Sequence, residues 1–414
     1  MKMLLHVTSV ALLAIAGMVA QGADWPQWRG ENRDGISRET GLLKQWPEGG
    51  PKLLWKATGL GEGYATPSVA KGRIYGMGLR GDKEVVWALD AANGKEVWHT
   101  PIADKITLEG AQGGYGPRST PTVDGDRLYA LGVGGLLVCL DAKNGRLIWK
   151  QDFVKDFGGT VPVWGYSESP LVDGNLVIAT PGGKDAAIVA FNKASGAVVW
   201  KAAVPGNDRA HYSSIIIASV NGQKQYVQFM AGGVVGVEAA TGKFLWRYDN
   251  PANRVANCST PIYRDNHVFA ASAYSTGGGL AKLTRNSDGT VAEQVYFTKS
   301  MQNHHGGMVL VGDYLYGFDN NTLTCLEFKT GKVMWTDRSV GKGSVTYADG
   351  HLYARSERGP IALVEATPMG YVEKGRFEQP ERSGNPTWTY PVIANGRLYL
   401  LDQNTLYCYD IKAP

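Results

Sequence analysis

From residue 70 to the last residues of the chain, apolar and polar positions alternate in short runs, each interrupted by a tight turn of Gly, Asn or Asp. Alternation of this kind predicts half-buried strands, and turns of this composition predict hairpins, because their residues tolerate positive φ. One hairpin pattern occurs eight times: AKGRIYGM at 70–77, VDGDRLYAL from 123, VDGNLVIA from 172, VNGQKQYVQF from 220, RDNHVFAA from 264, VGDYLYGF from 311, ADGHLYAR from 348 and ANGRLYLL from 394. A second hairpin follows the first seven of these and ends in a bulky aromatic. Five copies end in tryptophan, as in ALDAANGKEVW with Trp98, CLDAKNGRLIW with Trp149, AFNKASGAVVW with Trp200, GVEAATGKFLW with Trp246 and CLEFKTGKVMW with Trp335. Two degraded copies are expected to end in Phe297 and Phe377.

Two hairpins per unit make a four-stranded antiparallel meander, with strands A to D, at a period of about 38 to 53 residues. The count is uneven. After the eighth A–B hairpin only one further strand, LYCYD, follows, while PKLLWKATGL at 51–60 reads as a D strand with no blade before it. Assigning Lys52 to Thr58 to the last blade, beside Tyr407 to Ile411, closes a ring and removes an exposed edge. Trp55 then fills the vacant aromatic position. The expectation is an all-β, eight-bladed β-propeller spanning 51–414, with residues 24–50 packed over its rim.

The pattern AxDxxxGxxxW, present as Ala88, Asp90, Gly94 and Trp98 and varied in four further blades, resembles the pyrroloquinoline-quinone (PQQ) type propeller repeat over roughly residues 50–411. The resemblance implies that Trp55, Trp98, Trp149, Trp200, Trp246 and Trp335 tie neighbouring blades together. Quinoprotein dehydrogenases of this kind hold PQQ with calcium on a Glu, an Asn and an Asp, under a disulfide of adjacent cysteines. This chain has no adjacent cysteine pair, and Glu168 and Asn257 are its weak candidates for calcium. It is also similar to the propeller subunit of the outer-membrane β-barrel assembly machinery, which implies a scaffold with an envelope protein as partner.

Composition adds location. Residues 1–23 combine Lys2, an apolar run from Leu4 to Ala20 and small residues to Ala23, the pattern of a cleavable signal peptide, so a periplasmic or secreted monomer without a lipid anchor is expected. Net charge is +4, with no basic stripe to suggest nucleic acid. Cys139, Cys325 and Cys408 occupy equivalent repeat positions and read as buried apolar residues, not disulfide partners. Without CxxCH there is no covalent haem.

The meander sends the A–B and C–D turns to one face and the long D–A connections to the other, where each inner strand begins. That mouth gathers Tyr64, Tyr115, Arg118, Trp164, Tyr166, Glu168, His211, Tyr212, Asn257, His304, His305, Trp388 and Tyr390. Aromatics with a few charges suit a planar or sugar-like ligand, although the same groups also suit a solvated channel. On a strand, His304 and His305 point to opposite faces, so one of them is expected to face the funnel. The weak catalytic candidates are His211, His304, His305 and Glu168, the last also a possible ion-pair partner of Arg118. Three functions stay open: a binding or scaffold protein, a PQQ-dependent alcohol or sugar dehydrogenase, and a glycan-binding propeller.

Overall fold

The computed structural model describes residues 23–108, 116–206, 208–287 and 289–414. The expected signal peptide, Ala23 apart, lies outside these residues, as does Tyr115. Among the described residues no helix is long and apolar enough to cross a membrane.

Eight sheets follow one another around a central axis, each an antiparallel set of four strands, and one of them carries a fifth, parallel strand from the N-terminal segment. The ring is closed by the N-terminal strand Lys52–Ala57, which pairs antiparallel with Thr405–Asp410, placing Lys52 opposite Asp410 and Ala57 opposite Leu406. The core is divided into eight apolar clusters, and each is shared by two adjacent blades. One of them joins blade 8 to blade 1 through Leu406, Cys408 and Tyr399 against Val69, Ile74 and Trp87, with Trp55 packed on it.

The repeat pattern has a mechanical meaning. Trp98, Trp149 and Trp200 donate their indole N–H to the carbonyls of Ala142, Lys193 and Ala239 in the next blade, at 3.2, 3.1 and 3.2 Å. Each ring lies on the glycine of the next blade's C–D turn. Trp55 does the same to Gly94, which has φ +73°, and a Cβ there would come within 2.6 Å of the indole. In blade 5 the role expected of Phe297 belongs to Tyr296, which donates to Phe328 O at 2.8 Å and covers Gly331. The bulge that precedes Trp149, Trp200 and Trp246 in their strands falls between Gln294 and Tyr296 here, so Tyr296 holds the aromatic position. In blade 7, Phe377 packs on Tyr409 of blade 8 and on Trp46. The cysteines are free thiols, with Cys139, Cys325 and Cys408 buried in the inter-blade clusters.

Residues 24–50 do not lie only over the rim. Asp24 accepts from Lys71 N in the A–B turn of blade 1, and from there the chain rises into the central channel. Trp25 exchanges backbone hydrogen bonds with Val69, Pro26 O accepts from Val123 N, and Trp28 Nε1 donates to Thr260 Oγ1 at 2.9 Å. Arg29 donates to Met308 O and Arg33 to Ser169 O and Pro170 O. The chain then turns back: Ile36–Ser37 pairs parallel to Gly343–Ala348, and Glu39 accepts from Asn395 and Gly396 in the A–B turn of blade 8. The segment is therefore a channel plug contacting seven blades. The inner strands leave backbone and hydroxyl groups facing the axis, and a polar, Arg-bearing loop satisfies them where a packed blade cannot.

Candidate funnel at the mouth of the propeller

A cavity of about 490 Å³ opens on the mouth face, with the plug at its base through Trp28. Its walls come mostly from the irregular connections that precede the inner strands, with Tyr274, Glu357 and Arg358 added from B–C connections of their blades.

Of the residues expected there, Tyr64, Arg118, Trp164, Tyr212, His304, His305, Trp388 and Tyr390 line the cavity. Arg118 lies over the rings of Tyr64 and Trp388, 4.6 and 5.3 Å from their centroids. Such cation–π contacts hold the guanidinium in place, while burial lowers its pKa. Both histidines face the cavity, against the expectation of one. Residues 301–304 and 307 carry no regular structure and the strand begins only at Met308, so strand alternation does not apply. Their rings sit 4.7 Å apart.

A polar network runs through this wall. Tyr274 Oη is 3.2 Å from His304 Nε2, and Lys342 Nζ is 3.0 Å from His304 Nδ1 and 3.2 Å from Glu357 Oε1. The same Glu357 oxygen accepts from Trp388 Nε1 at 3.2 Å and contacts His305 Nε2. Burial, then Lys342, pushes His304 down to about 4. Burial, His304, Lys342 and Arg118 depress His305 well below its ordinary value. His304 is thus neutral near pH 7 and accepts from Lys342 at Nδ1, while His305 Nε2 contacts Glu357 without forming a hydrogen bond.

The remaining expected residues stand elsewhere. Tyr166 is in the core between blades 2 and 3, donating to Pro181 O at 2.8 Å. His211 stacks behind Tyr212, with ring centroids 5.2 Å apart, and its Nδ1 accepts from Asn257 N. Burial lowers it to about 4. Asn257 is fully buried and donates to Met230 O and Ala231 O. Glu168 faces away from Arg118. Its carboxyl is bonded to Thr180 N and Oγ1 at 2.6 and 2.9 Å, and the cation acting on it is Arg33 of the plug. The oxygens that calcium would need are therefore committed inside the blades, and the described residues contain no cluster of three His, Cys, Asp or Glu able to hold a metal. The weak calcium candidates of the quinone alternative, Glu168 and Asn257, do not line this funnel.

The sequence reading of the candidate site left out Trp28, Tyr274, Glu357 and Arg358. Trp28 comes from a segment with no repeat, and the others follow strands whose pattern carries no sign of a bend toward the axis. Glu357 and Arg358 had one available signal. SERGP interrupts strand alternation with two charges immediately before a Gly-Pro turn.

Burial pushes Glu168 up to about 8, against the opposing pull of Thr180 and Arg33. In the unfolded chain a glutamate ionises near ~4.3. Between these values the unfolded state releases a proton that the folded state retains, so the stabilising effect of the protonated carboxyl is complete below the lower value and is lost as pH rises through the upper one. Glu168→Gln is expected to match the parent at pH 4 and to exceed it by about 4 to 5 kcal/mol at pH 8, roughly 1.4 kcal/mol for each pH unit between the two values. Thermal unfolding across that range measures the difference, and parallel curves would refute it.

The family model described as outer membrane protein assembly factor BamB matches residues 82–337. The chain belongs to this family. It is 22% identical over 282 residues to BamB of Shewanella oneidensis, covering 65% of this chain and 67% of that one. It is 29% identical over 178 residues to BamB of Kangiella koreensis, and that match covers 42% of this chain and 39% of the relative. Against the crystal structure of BamB from Moraxella catarrhalis the TM-score is 0.56 at 15% identity, over 82% of this chain and 94% of that one, a likeness of fold. This BamB-type propeller is consistent with a scaffold or partner-binding role.

Proposed function

We propose that this BamB-family propeller is an envelope binding protein whose ligand seats in the mouth funnel. The observation that carries the reading is the plugged funnel: an aromatic-walled cavity with converging polar groups and a floor built by the chain's own N-terminal segment. Binding is favoured over catalysis because His304 is held as a neutral acceptor by Lys342 and the acid–base candidates His211 and Glu168 do not line the cavity. The relatives' names refer to outer-membrane assembly, which supports an envelope setting and a partner there.

The test is a thermal-shift screen of the purified protein against fractionated small molecules from an envelope extract, with PQQ plus calcium as a separate arm. At least one fraction is expected to raise the melting temperature of the parent, and Trp164→Ala and Trp388→Ala are expected to fold and lose the shift. No active fraction, or equal shifts in both variants, would overturn the proposal.

A further inference from the structure

We infer that the leader is removed between Gly22 and Ala23, and that the α-ammonium so created on Ala23 clasps the two limbs of the plug together by pairing with buried Glu39. Two independent observations meet at this peptide bond. The first lies in the sequence. A leader peptidase reads small side chains at the first and third positions before its cut, at the end of the apolar run. In MVAQGAD at 18–24, a cut after Gly22 places Gly22 and Ala20 in those positions. A cut after Ala20 would place Met18 at the third position, and a cut after Ala23 would place Gln21 there. Ala14 and Ala16 have the same spacing but stand inside the apolar run from Leu4 to Ala20. The register is one residue short of the leader's expected end.

The second observation is the carboxylate at that point. Glu39 is 4% exposed. It accepts from Asn395 N and from Gly396 N at 2.6 Å, both in the A–B turn of blade 8, and from Ala23 N at 3.1 Å. All three donors are neutral while Ala23 remains in a peptide bond. Among the described residues no Lys, Arg or His forms an ion pair with Glu39: its chain neighbours Arg38 and Lys44 are paired with Asp34 and Asp349, and Lys412 lies along Gly396 without reaching it. Burying a carboxylate with no cation beside it is unfavourable. The atom of Ala23 that touches Glu39 is the backbone nitrogen, the one whose charge hydrolysis changes. Water adds across the Gly22–Ala23 bond, the new carboxylate departs with Gly22, and the freed nitrogen takes up a proton, since an α-amine titrates near ~7.7 to 8.0. The contact with Glu39 then becomes a charge-assisted hydrogen bond. It joins the foot of the ascending limb to the foot of the descending limb, 16 residues on. In the uncut chain the same contact is an ordinary amide hydrogen bond, so the cut strengthens a clasp whose geometry is already set.

The experiment has two arms. In the first, the full chain is exported from a bacterial host and the intact mass of the product is measured; the expected species begins at Ala23. A product that begins at Gly17, Gln21 or Asp24, or that keeps the leader, would overturn the inference. In the second, a chain beginning at Ala23 is compared by thermal unfolding at pH 7 with one carrying a Gly-Ser tetrapeptide ahead of Ala23, which moves the ammonium into solvent. The free Ala23 form is expected to melt about 2 °C or more higher, and Glu39→Gln is expected to close the gap. Equal melting temperatures in the parent pair, or a gap that survives Glu39→Gln, would overturn the clasp. Should Glu39→Gln fail to fold, acetylation of the α-amine in the native Ala23 form takes its place. At pH 7 it is expected to run about tenfold slower than in the urea-unfolded chain, as for an ammonium held about one pH unit above its free value; equal rates would overturn the pairing.

Discussion

Deletion of residues 51–57 is expected to abolish the cooperative unfolding transition of the whole chain. The strand Lys52–Ala57 is the outer strand of blade 8, laddered to Thr405–Asp410, and it carries Trp55 onto Gly94 of blade 1. Without it, blade 8 exposes an unpaired edge, and the cluster joining blades 8 and 1 loses Trp55 and Ala57. Losing one ladder and a packed indole costs at least about 5 kcal/mol, a large part of the ~5 to 15 kcal/mol that holds a typical domain together. Circular dichroism melting and limited proteolysis would register the change. A deletion variant that melts as the parent does would show that the ring is held without this strand.

The second large effect is expected of Trp25→Ala. Trp25 is 2% exposed, packs in the cluster between blades 8 and 1, and lies over Gly30, where φ is +84° and a Cβ would come within 2.9 Å of its ring. It secures the ascending limb of the plug. Truncating a buried tryptophan costs about 3 to 5 kcal/mol, and this one also holds the limb that delivers Trp28 to the funnel floor. The expected outcome is a lower melting temperature together with new protease sensitivity within residues 24–40 and loss of funnel binding. Trp28→Ala separates the two effects, because Trp28 is only partly buried: binding falls while most stability is kept. A Trp25→Ala protein that resists protease in that segment would contradict the anchoring role.

The blades were legible because their determinants are local. Turn residues, alternation and the spacing from Gly94 to Trp98 lie within one hairpin, and the uneven count of hairpins was enough to give Lys52–Ala57 its partner some 350 residues away. The plug was not legible, because residues 24–40 have no periodicity and most of their partners are backbone N–H and C=O groups, which every sequence offers equally. Arg33 illustrates this: its guanidinium is fixed by Ser169 O and Pro170 O, and nothing in the letters ENRDG announces it. The funnel was legible in part. Tyr64, Arg118 and Trp388 were found because inner strands begin at the mouth, whereas Tyr166, Glu168 and Asn257 share that register but point into the blades, where Pro181 O, Thr180 and Met230 O hold them. Which way a side chain turns at a strand's first residue depends on the neighbouring blade, and no single repeat contains that information.

The plug enters and leaves the channel on the same side. Ala23 N donates to Glu39 Oε1, and Asp24 is bound to the A–B turn of blade 1 at Lys71 and to that of blade 8 at Asn395. Ala23 and Asp24, the first described residues, therefore lie on the turn face, opposite the mouth. A protein tethered or immobilised through that end stands with its funnel directed outward from the anchoring surface, open to whatever diffuses past, while the turn face is shaded by the support.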